Sequence, residues 1–178
     1  MFAYHGKTPT IHVEAMVSPF ALVIGDVNIA EGATVFLGAV IRGDVAPIRI
    51  GRYTNIQEQV VLHGGDQYDG EALRGHIPID VGDYVTVAHG SVVHGSTVGD
   101  VSMIGVHATL YDGSTFGAGS IVGMNAAVLA NTVIPPRSIV VGVPAKIVRS
   151  VDDETYARLK AHAIWYHKLA ESHKGTLF

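Results

Sequence analysis

The stretch "VGDVSMIGVHATLYDGSTFGAGSIVGMNAAVLANTV", residues 98–133, repeats a simple pattern every six residues. A large apolar residue opens each hexad, as at Val98 and Ile104, and a small residue such as Ser102 or Ala108 holds the fifth place. This period differs from the 3.6-residue period of an amphipathic helix. It is typical of short, flat strands joined by tight corners, so that each hexad forms one side of a prism.

The hexads extend beyond this stretch in both directions. They begin at Ile11, end near Val140 and are interrupted by a polar segment at 64–78. Roughly 20 hexads, at three sides per coil, predict an all-β solenoid of about seven coils. The first places should fill the axis, and the small fifth places should fit where the walls converge. A β-sandwich is disfavoured, because it needs strands of uneven length with turn signals every 8–12 residues.

Composition excludes several classes of protein. The chain has 178 residues, enough for one domain with a real core, and its formal net charge of -4 suggests no nucleic-acid partner. It has no cysteine, which excludes disulfides and thiolate metal sites and fits a reducing compartment. The first residues do not resemble a signal peptide, and no run approaches the length of a membrane span, so we expect a cytoplasmic protein without a membrane partner.

The pattern changes after Arg149. In "SVDDETYARLKAHAIWYHKLAES", Ser150 followed by Asp153 is an N-cap arrangement. One helical stripe follows at Tyr156, Leu159, Ala163, Tyr166 and Ala170. We therefore expect a β-helix domain over 1–149, with a loop insertion at 64–78, and a C-terminal helix over 150–178 that packs on the prism. The histidines in or after this helix are interpreted as surface residues: His162, His167 and His173.

Hexad phase predicts which side chains share a face. If the 64–78 segment is inserted at a corner, the hexads opening at Leu62 and Val93 lie one full coil apart. His63 and His94 hold the second place in these hexads and should therefore stack at about 4.8 Å, the spacing of paired strands. Arg42 should lie one coil below His63. Together these three residues form one outward column.

A second column is predicted on the neighbouring face. It contains Gln57, Glu58 and, one coil above, His89, with His107 expected one coil higher again. One chain cannot easily bring both columns to one ion, whereas two chains packed side by side can. Clustered histidines without cysteine suit zinc or another first-row divalent ion, with one position left for water.

Four segments resemble the γ-class carbonic anhydrase family of hexapeptide-repeat proteins: "AVIRGD" (39–44), "NIQEQVVLH" (55–63), "HGSVVH" (89–94) and "VGVPAKIVR" (141–149). The resemblance implies a left-handed parallel β-helix, whose handedness the repeat alone does not indicate. It also implies reversible hydration of carbon dioxide to bicarbonate by a metal-bound hydroxide, in a homotrimer with sites at the subunit interfaces. The metal would be Zn²⁺, or Fe²⁺ or Co²⁺. Its ligands would be His63, His89 and His94, two from one subunit and one from its neighbour.

The resemblance also implies roles for the residues around the metal. Arg42 would pair with Asp44 across the interface and help to order the site. Gln57 would hold the hydroxide, and Glu58 stands where the family commonly has aspartate. No residue matches the family's acidic proton-export loop, although four residues of the 64–78 segment are candidates: Asp66, Asp69, Glu71 and His76.

Other functions remain open at this stage. One alternative is a coenzyme-A-dependent acyltransferase, or a thioesterase-like relative, which shares the hexads and the "VGVPAK" segment. Such an acyltransferase needs one histidine as general base and no metal. Another alternative is a non-catalytic, metal-bound subunit of a larger assembly.

Overall fold

Three flat faces of parallel strands form a triangular prism, and one long helix lies along it. The computed structural model describes residues 1–178. The strands and the helix are, in chain order, β1 (Thr10–Ile11), β2 (Met16–Val17), β3 (Leu22–Ile29), β4 (Thr34–Val35), β5 (Val40–Ile50), β6 (Asn55–Ile56), β7 (Val61–His63), β8 (Gly65–Asp69), β9 (Ala72–Ile77), β10 (Ile79–Val81), β11 (Thr86–Val87), β12 (Val92–His94), β13 (Thr97–Val98), β14 (Met103–Ile104), β15 (Thr109–Leu110), β16 (Thr115–Phe116), β17 (Ile121–Val122), β18 (Ala127–Val128), β19 (Val133–Ile134), β20 (Ser138–Val141), β21 (Lys146–Ser150) and α1 (Asp153–Ser172).

Each face is a stack of strands taken from successive coils. Face A contains the first halves of β3 and β5, then β7, β12, β15 and β18. Face B contains β1, the second halves of β3 and β5, then β10, β13, β16 and β19. Face C contains seven parallel strands, β2, β4, β6, β11, β14, β17 and β20, which correspond to the predicted seven coils.

The apolar first places fill the axis, as the hexads predict. They dominate a single core cluster of 28 buried residues, in which Ile56, Leu62 and Val93 are fully buried. Leu62 and Val93 are partners in register, so each coil places its large side chain on the one below. Burying a side chain of this size contributes about 1.5–3 kcal/mol, and the repetition of that contribution holds the coils together.

The segment expected to be a loop at 64–78 is a β-hairpin. Strands β8 and β9 pair antiparallel, with Asp66 opposite His76. The hairpin leaves at the corner between face A and face B, and the coil resumes where Ile79 pairs with Ile48. The hairpin strands are mostly exposed and bury no apolar face, so the sequence carries no strand period there. Because the insertion is confined to a corner, the phase of the histidine columns is preserved.

Helix α1 begins later than the sequence suggested. Its N-cap is Asp152, whose side chain accepts a hydrogen bond from the backbone N–H of Thr155 at 2.7 Å. Ser150, the expected cap, is instead the last residue of β21, which pairs antiparallel with β20. A strand therefore continues to the point where the helix was expected to start. No helix of the structure has the length and apolarity that a membrane crossing requires.

The predicted stripe of α1 does face the prism. Leu159, Ala163 and Ala170 are buried. The interpretation of His162 and His167 as surface residues is wrong, since both rings are partly buried where the helix meets face C. Nδ1 of His167 lies 2.9 Å from the carbonyl oxygen of Gly32. The helical stripe is broader than the five residues identified from its period.

Candidate metal centre

The first predicted column exists on face A. Arg42 is the Cα partner of His63, and His63 is the partner of His94, in three successive parallel strands. The two imidazole centroids are 5.2 Å apart. Nδ1 of His63 lies 3.2 Å from Nε2 of His94. Stacked coils thus bring together two side chains that are 31 residues apart in the chain.

A carboxylate engages the other nitrogen of each of these rings. Nε2 of His63 lies 3.2 Å from Oδ1 of Asp44, and Nδ1 of His94 lies 2.5 Å from Oδ1 of Asp112. An ionised carboxylate only accepts hydrogen bonds, so the network assigns N–H to those outer nitrogens. Neutral rings would then point two lone pairs at each other, which is favourable only with a cation between them. Two nitrogens on a tetrahedral zinc lie about 3.3 Å apart, close to the observed separation.

Asp112 was not identified from the sequence. Hexad counting places it above Gly95 and therefore beside, not above, His94. Its carboxylate reaches the ring diagonally because two glycines leave room. A Cβ on Gly65 would lie 2.2 Å from Oδ1 of Asp112, and a Cβ on Gly95 would lie 2.8 Å from it. In the sequence, the only signal for this contact is that Gly65 and Gly95 lie next to an acidic residue of the coil above.

Burial, and then nearby charge, favour the neutral form of the His63 ring, which is the form that binds a metal. Burial would raise the pKa of Asp44, but the hydrogen bond and the charge of Arg42 outweigh it and lower that pKa. Burial, followed by the charge of Arg42, lowers the pKa of His63 below its ordinary value. Arg42 Nη1 donates to Oδ2 of Asp44 at 2.5 Å within one chain, whereas the expectation placed this pair across an interface.

The second column lies at the end of the face C strands β6 and β11. Nδ1 of His89 is 2.6 Å from Oε2 of Glu58, its neighbour in the coil below. This third imidazole thus also has a carboxylate on one ring nitrogen. His107 lies over Gly90 rather than over His89, since a Cβ on Gly90 would meet Cε1 of His107 at 2.3 Å. The expected position of His107 is therefore wrong by one residue.

Gln57 is buried, and both ends of its amide have partners. Its Oε1 accepts a hydrogen bond from the backbone N–H of His89 at 3.2 Å. Its Nε2 donates to Oδ1 of Asn55 at 3.0 Å. The amide orientation follows from these two bonds, and one Nε2 hydrogen is left for another acceptor.

The two columns do not meet within one chain. No group of three or more His, Cys, Asp or Glu side chains that could hold a metal ion forms in the structure. Face A supplies His63 and His94, whereas His89 lies on the far side of a corner. This separation is the one that the hexad count predicts. Two rigid neighbouring faces of a prism point in different directions, so their outward side chains diverge.

A cavity of about 250 Å³ opens beside His89, between face C and helix α1. Gln57 and His89 border it on one side, and His162 and Tyr166 of the helix border it on the other. Much of the remaining lining is apolar: Ala88, Met103, Val106 and Met124. Burial, and then the charge of Glu58, raise the pKa of Tyr166, so its hydroxyl stays protonated at neutral pH.

Known structures share this architecture. A hexapeptide transferase family protein from Anaplasma phagocytophilum has the same fold, with a TM-score of 0.88 and 27% identity over 97% of this chain and 96% of that chain. The molecule is therefore a left-handed β-helix of the hexapeptide-repeat type, as the resemblance implied. No family model matches the chain.

Curated relatives identify the family. A protein of Methanocaldococcus jannaschii named "Probable carbonic anhydrase" is 46% identical over 85% of this chain and 90% of its own length. "Gamma carbonic anhydrase 1, mitochondrial" of Arabidopsis thaliana is 39% identical over 94% of this chain, which spans 60% of that protein. The chain belongs to the γ-class carbonic anhydrase family, a family of lyases.

Proposed function

We propose that this protein catalyses the reversible hydration of carbon dioxide to bicarbonate at a divalent metal ion shared between two copies of the chain. His63 and His94 of one copy and His89 of another would be the ligands. One observation carries the proposal: each of these three imidazoles has a carboxylate on one ring nitrogen, from Asp44, Asp112 and Glu58. Metal-ligating histidines almost always donate their other N–H in this way.

The donor set fits Zn²⁺, with Fe²⁺ or Co²⁺ as alternatives, because three imidazoles and no thiolate suit these ions. When bound by three imidazoles, such an ion lowers the pKa of a coordinated water to about 7, which supplies hydroxide at neutral pH. The chain's own contribution is to keep its ligands neutral and oriented. Asp44 and Asp112 orient His63 and His94, and Arg42 holds Asp44 in place.

A homotrimer is the assembly that completes this site. Face A carries a second outward column beside the one that contains His63 and His94. It is formed by four apolar residues in register: Leu22, Val40, Val61 and Val92. An apolar column next to an incomplete set of ligands supports contact with another copy. Because His89 and the His63/His94 pair lie on different faces, the contact is heterologous, and a threefold ring closes it.

Around the ion, two features suit carbon dioxide. The apolar side of the cavity beside His89 accepts a small, uncharged substrate, and the remaining Nε2 hydrogen of Gln57 can orient the attacking oxygen. Glu58 acts through His89 in this proposal, because its carboxylate is directed at that ring.

The acyltransferase alternative has weaker support. It shares the fold, but it does not explain why three histidines each have a carboxylate partner. A non-catalytic, metal-bound assembly subunit would have the same ligand geometry. Only a measurement of turnover distinguishes it from the enzyme.

Metal analysis followed by an assay tests the proposal. Protein purified without a histidine tag should contain about one divalent ion per chain and form trimers by native mass spectrometry. It should hydrate carbon dioxide in stopped-flow measurements and lose this activity when the ion is chelated. Full activity in metal-free protein contradicts the proposal, and a metal-loaded trimer without turnover favours the assembly subunit.

A further inference from the structure

His162 is a partly buried, titratable group close to the candidate site, and none of the roles above uses it. It lies on the inner side of α1, 73 residues after His89, and borders the same cavity as His89 and Gln57. Its Nδ1 is 3.2 Å from Oγ1 of Thr86, which also borders the cavity. A histidine in this position is within reach of solvent that enters the site.

The hydrogen-bond network assigns the tautomer of His162. Asn55 Nδ2 donates to Oγ1 of Thr86 at 2.9 Å, so the hydroxyl of Thr86 keeps its own hydrogen for another acceptor. The remaining neighbour in reach is Nδ1 of His162, which is then the accepting nitrogen. Neutral His162 thus carries its proton on Nε2 and presents a lone pair towards the site.

We propose that His162 accepts the proton released by carbon dioxide hydration and passes it to solvent, with the Thr86 hydroxyl as the link. This assignment rests on the proposed function. The reaction of carbon dioxide with water gives bicarbonate and one proton, which must leave in every turnover. None of the four proton-export candidates of the 64–78 hairpin, Asp66, Asp69, Glu71 and His76, borders the cavity beside His89, so the proton needs an acceptor closer to the site.

The transfer balances without any further reactant. After bicarbonate leaves, an O–H bond of the water that replaces it breaks, and Oγ1 of Thr86 takes that proton while its own proton passes to the lone pair on Nδ1 of His162. The imidazolium then loses the proton on Nε2 to water or to a buffer base. This leaves a neutral ring with its proton on Nδ1. Exchange of that proton through solvent and rotation of the Thr86 hydroxyl restore the starting Nε2–H tautomer, and nothing is oxidised or reduced.

The surroundings favour rapid uptake and release. Burial lowers the pKa of His162 below its ordinary value of 6.5, so the ring is mostly neutral at neutral pH and does not retain the proton. The titratable groups that face it are Tyr166, whose ring centroid is 5.0 Å away on α1, and His89 across the cavity. Glu58 is close enough to Tyr166 for its charge to help raise the pKa of that residue.

Steady-state kinetics of the metal-loaded trimer test the assignment. His162→Ala should lower kcat for hydration by about 10- to 100-fold and leave kcat/KM near that of wild type, because proton export follows the step at which bicarbonate forms. Added imidazole should restore kcat in this variant. Thr86→Val should lower kcat as well, whereas Thr86→Ser, which keeps the hydroxyl, should retain most of it.

His167→Ala is the matched control. His167 is also a partly buried histidine of α1, but it contacts Gly32 and does not border the cavity. His167→Ala should keep the kcat of wild type, and added imidazole should not change it. An active wild type with unchanged kcat in His162→Ala overturns the assignment alone, as does a parallel loss of kcat and kcat/KM without imidazole rescue. An inactive wild-type trimer overturns the proposed function and this assignment together.

A second measurement is independent of turnover. Nitrogen-15 NMR of the metal-free protein should show His162 as the Nε2–H tautomer at neutral pH, and this signal should change in Thr86→Val. A proton on Nδ1 at neutral pH would overturn the relay through Thr86.

Discussion

The two halves of the candidate metal centre differ in how complete each is within one chain. On face A, the side chains of His63 and His94 are 16% and 25% exposed, and their carboxylate partners are similarly covered. At the face C corner, His89 is 48% exposed and Glu58 36%. Stacked coils bring together and largely cover the two proposed ligands on face A. The proposed third ligand, His89, stays more exposed within one chain.

Complementation between variants is the largest expected effect and the sharpest test of this difference. His89→Ala and His94→Ala should each lower activity to background as pure trimers. Co-expressed, they should partly recover, because the intact face A of the first variant meets the intact His89 of the second. Native mass spectrometry would establish the mixed trimers, and stopped-flow assays would measure their activity.

Mixed trimers that bind no metal and show no activity above the pure variants would contradict a shared site. Co-expression of two copies of the same variant is the control, and it should give no recovery of activity. The assignment of His89 and His94 to different faces would still hold, since the coil register shows it, but their convergence on one ion would not.

Asp112→Asn should lower the metal affinity by disturbing the face A half of the candidate centre. It replaces the carboxylate that holds Nδ1 of His94, and loss of such a partner costs about 10- to 100-fold in metal affinity. Competition with a chelator measures the change. Asp69→Asn, in the exposed hairpin, is the control and should leave the affinity unchanged. Equal affinity in both variants would show that Asp112 does not orient His94.

Gln57→Ala should have a smaller effect on metal binding and a clear effect on turnover. Gln57 contacts the backbone N–H of His89 and the side-chain Oδ1 of Asn55 rather than an imidazole nitrogen, so metal content should be spared. Loss of the group that orients the attacking oxygen should lower kcat by about 10-fold or more. Elemental analysis and hydration assays on the same sample separate the two effects, and a joint loss of metal and activity would disprove this role.

The smallest expected effect is the pH dependence of stability in the metal-free protein. Burial, and then the charge of Arg42, lower the pKa of His63 below 6.5 in the folded chain. The unfolded chain therefore binds this proton more readily, so the contribution of His63 is complete above about pH 6.5 and is lost as the pH falls through the folded-state pKa. Urea unfolding between about pH 7.5 and about pH 5 should show a smaller loss in His63→Gln than in wild type. If the free energy of unfolding changes equally with pH in wild type and His63→Gln, this contribution of His63 is contradicted.

Much of the architecture could be predicted from the hexads. They predicted the coils, the core positions and the register of Arg42, His63 and His94, all of which the structure confirms. They also placed Glu58 below His89. They do not extend to the cap at Asp152 or to the exposed hairpin at 64–78, neither of which follows the six-residue period. His107 does follow it, but one place further along than expected, over Gly90.

The sequence by itself determined which residues stack, because parallel coils repeat at one strand spacing and side chains alternate in a set order. Only the tertiary structure decided which side chains reach diagonally or across elements. Asp112 reaches His94 because Gly65 and Gly95 leave space for its carboxylate. His162 reaches Thr86 because α1 packs on face C against strand β11, which contains Thr86. These contacts depend on side-chain direction and on the room between surfaces, and neither is encoded in a period.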